Sequence, residues 1–434
     1  YEYDERNLLT SVTNGQNVAK YTYDANGNML TDTFGNKTIN YTYTAANLVK
    51  SVDNELQSYS YGYGLDGNII IRASYNGDNS DIIRYTYDDC GRLIKESGRY
   101  AKKSYTYDKY SNITNVEDSI NNTTVLRIYD KNNRLTSEWS STNYITVNYY
   151  DKNGNTTSKT ATGGKRAVYE YNGFNQLVSA EENGVKSSYT YDGTGLRQSK
   201  TVNGVTINHI WDGTNMVAET NGTKVTNRYY RGANGIIYAD LNGTQRRYFK
   251  DGHGNITGLA QMDSSDLEKF YEYDAFGVEI TKEESDTNPF RYCGEYYDGE
   301  IDKIYLRARY YSPLQGRFMT EDPIRDGLNW YSYCGGNPII LIDPSGLEDA
   351  YAPSAGARIY INYYSMQRNN AQQRKEKLKN ESNYQSLGVE YDWEAEELSY
   401  RCDDDINSAN SNIEKIKELD EQGLVEGGYL MVPA

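Results

Sequence analysis

Residues 21–30 read YTYDANGNML, and close relatives of the phrase return as YTYDDCGRLI from Tyr85, YTYDKYSNIT from Tyr105 and YTYDGTGLRQ from Tyr189. The two tyrosines stand at i and i+2, as in Tyr21 and Tyr23, which puts both on one face of a strand and would scatter them round a helix. Asp24 to Asn28 follows as a turn cluster, because Asp bonds nearby backbone and Gly27 accepts positive φ.

Marking the residue after the second aromatic gives Asp4, Asp24, Thr44, Gly64, Asp88, Asp108, Asp130, Asp151, Asn172, Asp192 and Asp212, in steps of 20 to 24 residues. So regular a period identifies a tandem repeat. A weaker turn signal comes half a period later, at Asn14-Gly15, Gly35-Asn36, Asn183-Gly184 and Asn203-Gly204, so each unit reads as a two-stranded hairpin. Single hairpins are marginal in water, and hairpins in series stack edge to edge into one long sheet that coils with its own twist. The expected fold class is mainly β: a spiral of hairpins forming a hollow shell, with a small, mainly α C-terminal domain.

Composition agrees with the hairpins. The chain has 46 tyrosines against 7 phenylalanines and 7 prolines, and its mean hydropathy of -0.84 is low for a large aliphatic core, which favours the coil closing around a hollow. Tyrosine suits surfaces that are half buried and half wet. A net charge of -16 and a pI near 4.8 argue against nucleic-acid binding by the shell and against anionic membranes. No apolar run reaches the roughly 20 residues of a membrane span, and the four cysteines, at 90, 293, 334 and 402, form no CxxC pair and read as free thiols. Tyr1 opens in mid-repeat, so a fragment of a longer chain is expected.

The repeat loosens from Tyr229 and leads into RYCGEYYDGEIDKIYLRARYYSPLQGRFMTEDP, Arg291 to Pro323, and then WYSYCGGNPIILIDPSGL, Trp330 to Leu347. After Leu347 the repeat is lost and helical runs are expected, QRNNAQQRKEKLKNE from Gln367 and DDDINSANSNIEKIKELDEQG from Asp403. Three parts are therefore expected: repeats over 1–228, a core segment over 229–347 and a C-terminal domain over 348–434.

The repeats, with LRARYYSPLQGRFMTEDP and NPIILIDPSGL, resemble the YD-repeat or Rhs proteins, which include bacterial polymorphic toxins, the C components of Tc toxin complexes and the animal teneurins. The resemblance covers Tyr1 to Leu347 and implies a cocoon of hairpins, a core that winds inward as a plug, and a variable C-terminal toxin or effector domain held inside as cargo. It further implies that the core cuts the chain between Leu347 and Glu348, just after Asp343-Pro344-Ser345-Gly346, as a single-turnover intramolecular aspartic protease.

Two Asp-Pro pairs, Asp322-Pro323 and Asp343-Pro344, frame that segment. Brought together, two carboxylates share a proton and serve as base and acid at once. The resemblance carries this role onto Asp322 and Asp343 and a supporting role onto Arg309, which would hold a carboxylate or stabilise the oxyanion. The activity of the C-terminal domain stays open. His209 and His253, 44 residues apart, do not suggest a metal or Ser-His-Asp site, and Cys402 has no histidine within its domain. Neither metal nor cofactor is expected.

The function expected is a shell that encapsulates and releases an effector in interbacterial competition or host intoxication, from a secreted protein or one on the bacterial surface, with an immunity protein as a further partner. The alternative is a cell-surface adhesin or wall-associated structural protein whose tyrosine-rich repeats bind glycans or proteins. An adhesin has no need of a cut after Leu347.

Overall fold

A computed structural model describes residues 1–351, apart from 78, 263 and 284, together with the short strands Val425–Glu426 and Tyr429–Leu430. The helices expected at 367–381 and 403–423 and Cys402 lie outside the described residues. The rest is mainly β, as the tyrosine spacing predicts. Twenty-seven strands, from Glu2–Tyr3 to Lys269–Phe270, form one sheet. Each strand pairs antiparallel with the next in sequence.

The repeated phrase explains the sheet residue by residue. In Asn17–Tyr23, Ala19 and Tyr21 are buried while Lys20 and Thr22 face out. The first tyrosine of the pair fills the inner face at Tyr21, Tyr41, Tyr61, Tyr85, Tyr105 and Tyr189. The second spans to the previous unit: the hydroxyls of Tyr23, Tyr43, Tyr63 and Tyr107 donate to the carbonyls of Leu9, Met29, Val49 and Leu93 at 2.7, 2.8, 2.7 and 2.7 Å. A buried tyrosine hydroxyl needs such a partner, and here the partner is the neighbouring hairpin.

Asp24 closes its turn by accepting the N–H groups of Asn26 and Asn28 on Oδ1, at 2.9 and 2.8 Å, while Asn28 Nδ2 reaches Oδ2 at 2.8 Å and the next unit's Asn47 at 3.1 Å. The register slips by one residue at the second tyrosine, between Thr22 and Tyr23, and again at the same place in the units of Tyr43, Tyr107 and Tyr191. Bulges of this kind bend a strand and increase its twist, so the sheet curls until its late strands meet its early ones. Arg247 Nη1 donates to Phe34 O at 2.8 Å, Gln57 Nε2 to Thr257 O at 3.1 Å, and Phe34 stacks on Tyr238 with ring centres 4.5 Å apart.

The large sheet runs on past residue 228, where the wording of the repeat loosens. Val225–Gly232, Gly235–Leu241, Thr244–Lys250 and Ile256–Gln261 continue the ladder without a break. The same Asp turn recurs at Asp251, whose Oδ1 accepts the N–H groups of His253 and Asn255, both at 3.0 Å, and at Asp274, whose Oδ1 accepts those of Phe276 and Val278 at 3.0 and 2.9 Å. A ladder needs alternation and a turn, and both survive changes in wording that hide the repeat.

Residues after Phe290 make a second, four-stranded sheet from Tyr296–Asp298, Lys303–Leu306, Arg309–Ser312 and Arg317–Phe318. It packs on the inner face of the large sheet in an aromatic core holding Tyr169, Tyr189 and Tyr229 from one side and Tyr305, Tyr310 and Tyr311 from the other. Scarce phenylalanine therefore does not leave this interface empty, because tyrosine fills it. Buried ion pairs pin it as well: Arg197, wholly buried, pairs with Asp298 and bonds Tyr310 Oη at 2.8 Å, and Lys200 reaches Asp298 at 2.8 Å.

Candidate functional site

Arg309 opens the third strand of this inner sheet, and its side chain is where the two Asp-Pro segments converge. Its Nη2 lies 3.5 Å from Asp343 Oδ2 and 4.0 Å from Asp322 Oδ2. Asp322 follows the strand Arg317–Phe318, and Asp343 follows Leu341–Ile342, so a strand end delivers each carboxylate to the same guanidinium. Phe318 lies under that guanidinium, 3.6 Å from ring centre to Cζ. Asp322 and Asp343 are 5% and 2% exposed, so neither charge is shared with bulk water.

The DPSGL segment is fixed by its own aspartate. Asp343 Oδ1 accepts the N–H groups of Gly346 and Leu347 at 2.8 and 3.1 Å and the Ser345 hydroxyl at 3.3 Å. Gly346 has φ +70°, and a Cβ there would stand 2.7 Å from Leu306 O and 2.9 Å from Arg309 N. Only glycine fits this close approach. Three successive carbonyls are received by three successive residues: Pro344 O by Arg307 Nη1 at 2.6 Å, Ser345 O by Ala308 N at 3.1 Å, and Gly346 O by Arg309 Nε.

Burial pushes both carboxyls above their ordinary value, while the Arg309 charge pulls each of them down. Burial in turn lowers Arg309, against the raising influence of Asp322 and Asp343. Two carboxyls with raised affinity for protons and the Gly346 carbonyl thus meet at one cation, Arg309. Such a set combines a proton donor, a proton acceptor and a stabiliser for negative charge.

All three expected catalytic residues are therefore brought together, with Pro344, Ser345, Gly346 and Leu347 against them and Glu348 exposed just beyond. Sequence reasoning misses Arg307, whose RAR context is the only cue, and Asp349. The latter is half-buried, accepts the Cys334 N–H at 3.2 Å, and is raised to about 8 by burial and by the Asp343 charge. A domain boundary at Leu347 hides it, because that boundary assigns everything beyond to a separate unit.

The histidines serve separate contacts. His209 Nδ1 lies 3.2 Å from Arg197 O, and His253 Nε2 lies 3.2 Å from Leu341 O. Among the described residues, Cys90, Cys293 and Cys334 form no disulfide.

The teneurin YD-shell family model matches residues 63–331, and the RHS repeat model matches residues 3–39. The tRNA3(Ser)-specific nuclease WapA of Bacillus spizizenii is 32% identical over 303 residues, covering 66% of this chain and 12% of its own length. The tRNA nuclease WapA of Bacillus subtilis is 31% identical with the same coverage. Toxin protein Tse5 of Pseudomonas aeruginosa is 41% identical over 61 residues, 14% of this chain and 5% of that protein. The crystal structure of TcdB2-TccC3-TEV superposes with a TM-score of 0.50 at 17% identity, covering 80% of this chain and 21% of that one. The chain thus spans about an eighth of the length of the WapA proteins.

Proposed function

Because the chain belongs to the teneurin YD-shell family, we propose that it is the closing part of a shell that encloses a C-terminal toxin domain and severs it by self-cleavage after Leu347. The observation that carries this is the convergence of Asp322, Asp343 and Arg309 on the DPSGL segment. In this reading the repeats and core, residues 1–347, form a hollow shell with an inner plug, and residues 348–434 are the cargo.

One carboxylate takes a proton from a water molecule as the water oxygen adds to the Leu347 carbonyl carbon. Arg309 offsets the charge that develops on the carbonyl oxygen. The other carboxyl, protonated beforehand, gives its proton to the Glu348 nitrogen as the carbon–nitrogen bond breaks. The products are a Leu347 carboxylate and a Glu348 ammonium, and no cofactor enters the balance. Enzyme and substrate are one chain, so a single turnover at high effective concentration suffices.

The toxin assignment is supported by the likeness to the WapA nucleases and to Tse5, and it concerns proteins far longer than this chain. A polymorphic toxin of this kind is delivered at or beyond the bacterial surface and is accompanied by an immunity protein. Purified protein run on a denaturing gel tests the cut. Two bands are expected from the unaltered chain and one from Asp322→Asn, and a single full-length band from both contradicts it.

A further inference from the structure

The amine side of the Leu347–Glu348 bond is held by groups that the cutting chemistry does not use. Ala350 and Tyr351 pair antiparallel with Ile342 and Leu341, the two residues immediately before Asp343. Asp349 Oδ1 accepts the Cys334 N–H at 3.2 Å, in a tight turn where Cys334 has φ 52°. The receiving strand is itself fixed, since Leu341 is 2% exposed and its carbonyl accepts from His253 Nε2 at 3.2 Å. On the acyl side, Arg307, Ala308 and Arg309 hold the carbonyls of residues 344 to 346. The bond between Leu347 and Glu348 is therefore strung between two anchors.

We propose that Asp349–Tyr351 form a docking strand that fixes the leaving amine before the cut and keeps the severed tail attached to the core after it. The inference rests on the self-cleavage reading. Hydrolysis of one peptide bond removes the covalent link and leaves the strand pairing and the Cys334 contact intact. Docking differs from enclosure in an observable way, because an enclosed but undocked tail has free first residues.

Hydrogen exchange on the full chain after cutting separates the two. In the cut protein the Ala350 and Tyr351 amides are expected to stay protected to within a few-fold of their level in uncut Asp322→Asn. Asp349→Ala should slow the cut roughly tenfold and lower that protection by a similar factor, in line with one lost hydrogen bond that leaves the Cys334 N–H without its acceptor. Asp349→Asn, whose side-chain oxygen still accepts from Cys334, should restore both.

Cut protein whose residues 350 and 351 exchange like a free peptide would overturn the docking strand and leave self-cleavage standing. So would an Asp349→Ala chain that matches the unaltered one in rate and protection. A chain that never cuts overturns both.

Discussion

The Nη2 of Arg309 stands 3.5 Å from Oδ2 of Asp343, although the two residues lie 34 positions apart in the chain. The same side chain receives the carbonyl of Gly346 on Nε, so one guanidinium holds both the candidate catalytic carboxylate and the segment to be cut. Substitution of Arg309 by Met should leave Asp322 and Asp343 buried without their cation. Cutting is expected to fall by roughly two to three orders of magnitude, as for removal of a single charge-stabilising donor. Arg309→Lys should recover only part, because an ammonium lacks the fork that reaches two groups at once. Time courses of fragment appearance measure this.

Gly346→Ala places a methyl group against Leu306 O and Arg309 N at a φ of +70°. The expected cost is about 1–3 kcal/mol of local strain, with the cut slowed because the Leu347 carbonyl moves. Ser345→Ala removes only the 3.3 and 3.1 Å hydroxyl contacts to Asp343 and Leu347 N and should be milder.

Glu96 is 1% exposed, with Tyr105 Oη at 2.6 Å and the Ala275 N–H at 2.9 Å. Burial first, and the Asp274 charge second, push it from an ordinary 4.5 up to about 8, opposed in part by Lys103. The folded chain then keeps a proton that the unfolded chain releases above pH 4.5. Its stabilising contribution is full below that pH and is lost as pH rises through about 8. Urea midpoints should fall between pH 5 and pH 8.5, and Glu96→Gln should flatten that fall.

Arg197→Met strands Asp298 in the interface between the two sheets with only Lys200 for company. A broken buried pair of this kind costs about 3–5 kcal/mol. Removing Asp298 as well, in Arg197→Met/Asp298→Met, should cost less than the sum of the two single changes. Chemical denaturation of the three variants checks the coupling.

In the repeats, Tyr107→Phe deletes one hydroxyl bonded to Leu93 O at 2.7 Å and should cost about 1 kcal/mol. Asp108→Ala removes three hydrogen bonds, from Tyr110 N and Asn112 N to Oδ1 and from Asn112 Nδ2 to Oδ2, all at 2.9 Å, and should cost more. The reverse order would deny the Asp turn its structural weight.

The sheet is legible in the sequence because one phrase states both a face and a turn: Tyr21 and Tyr23 share a side, and Asp24 closes the chain on itself. The convergence of Asp322, Asp343 and Arg309 is legible only through the resemblance, since their separations follow from no local period. The continuation of the sheet to Phe270 is hidden because Asp212 closes a shorter turn, pairing with Asn215, and throws the spacing out of step. The Arg197–Asp298 pair is out of reach, because its members lie 101 positions apart and nothing beside either one announces the other. Asp349 escapes for a different reason, since a boundary at Leu347 makes the pairing of the next residues with the core invisible.

N-terminal sequencing of the smaller fragment from purified protein tests the central claim most directly. The sequence predicted is Glu-Asp-Ala-Tyr-Ala, beginning at Glu348, from the unaltered chain and no such fragment from Asp343→Asn. A fragment beginning elsewhere, or the same fragment from the Asp343→Asn chain, would contradict a cut made by these carboxylates at this bond.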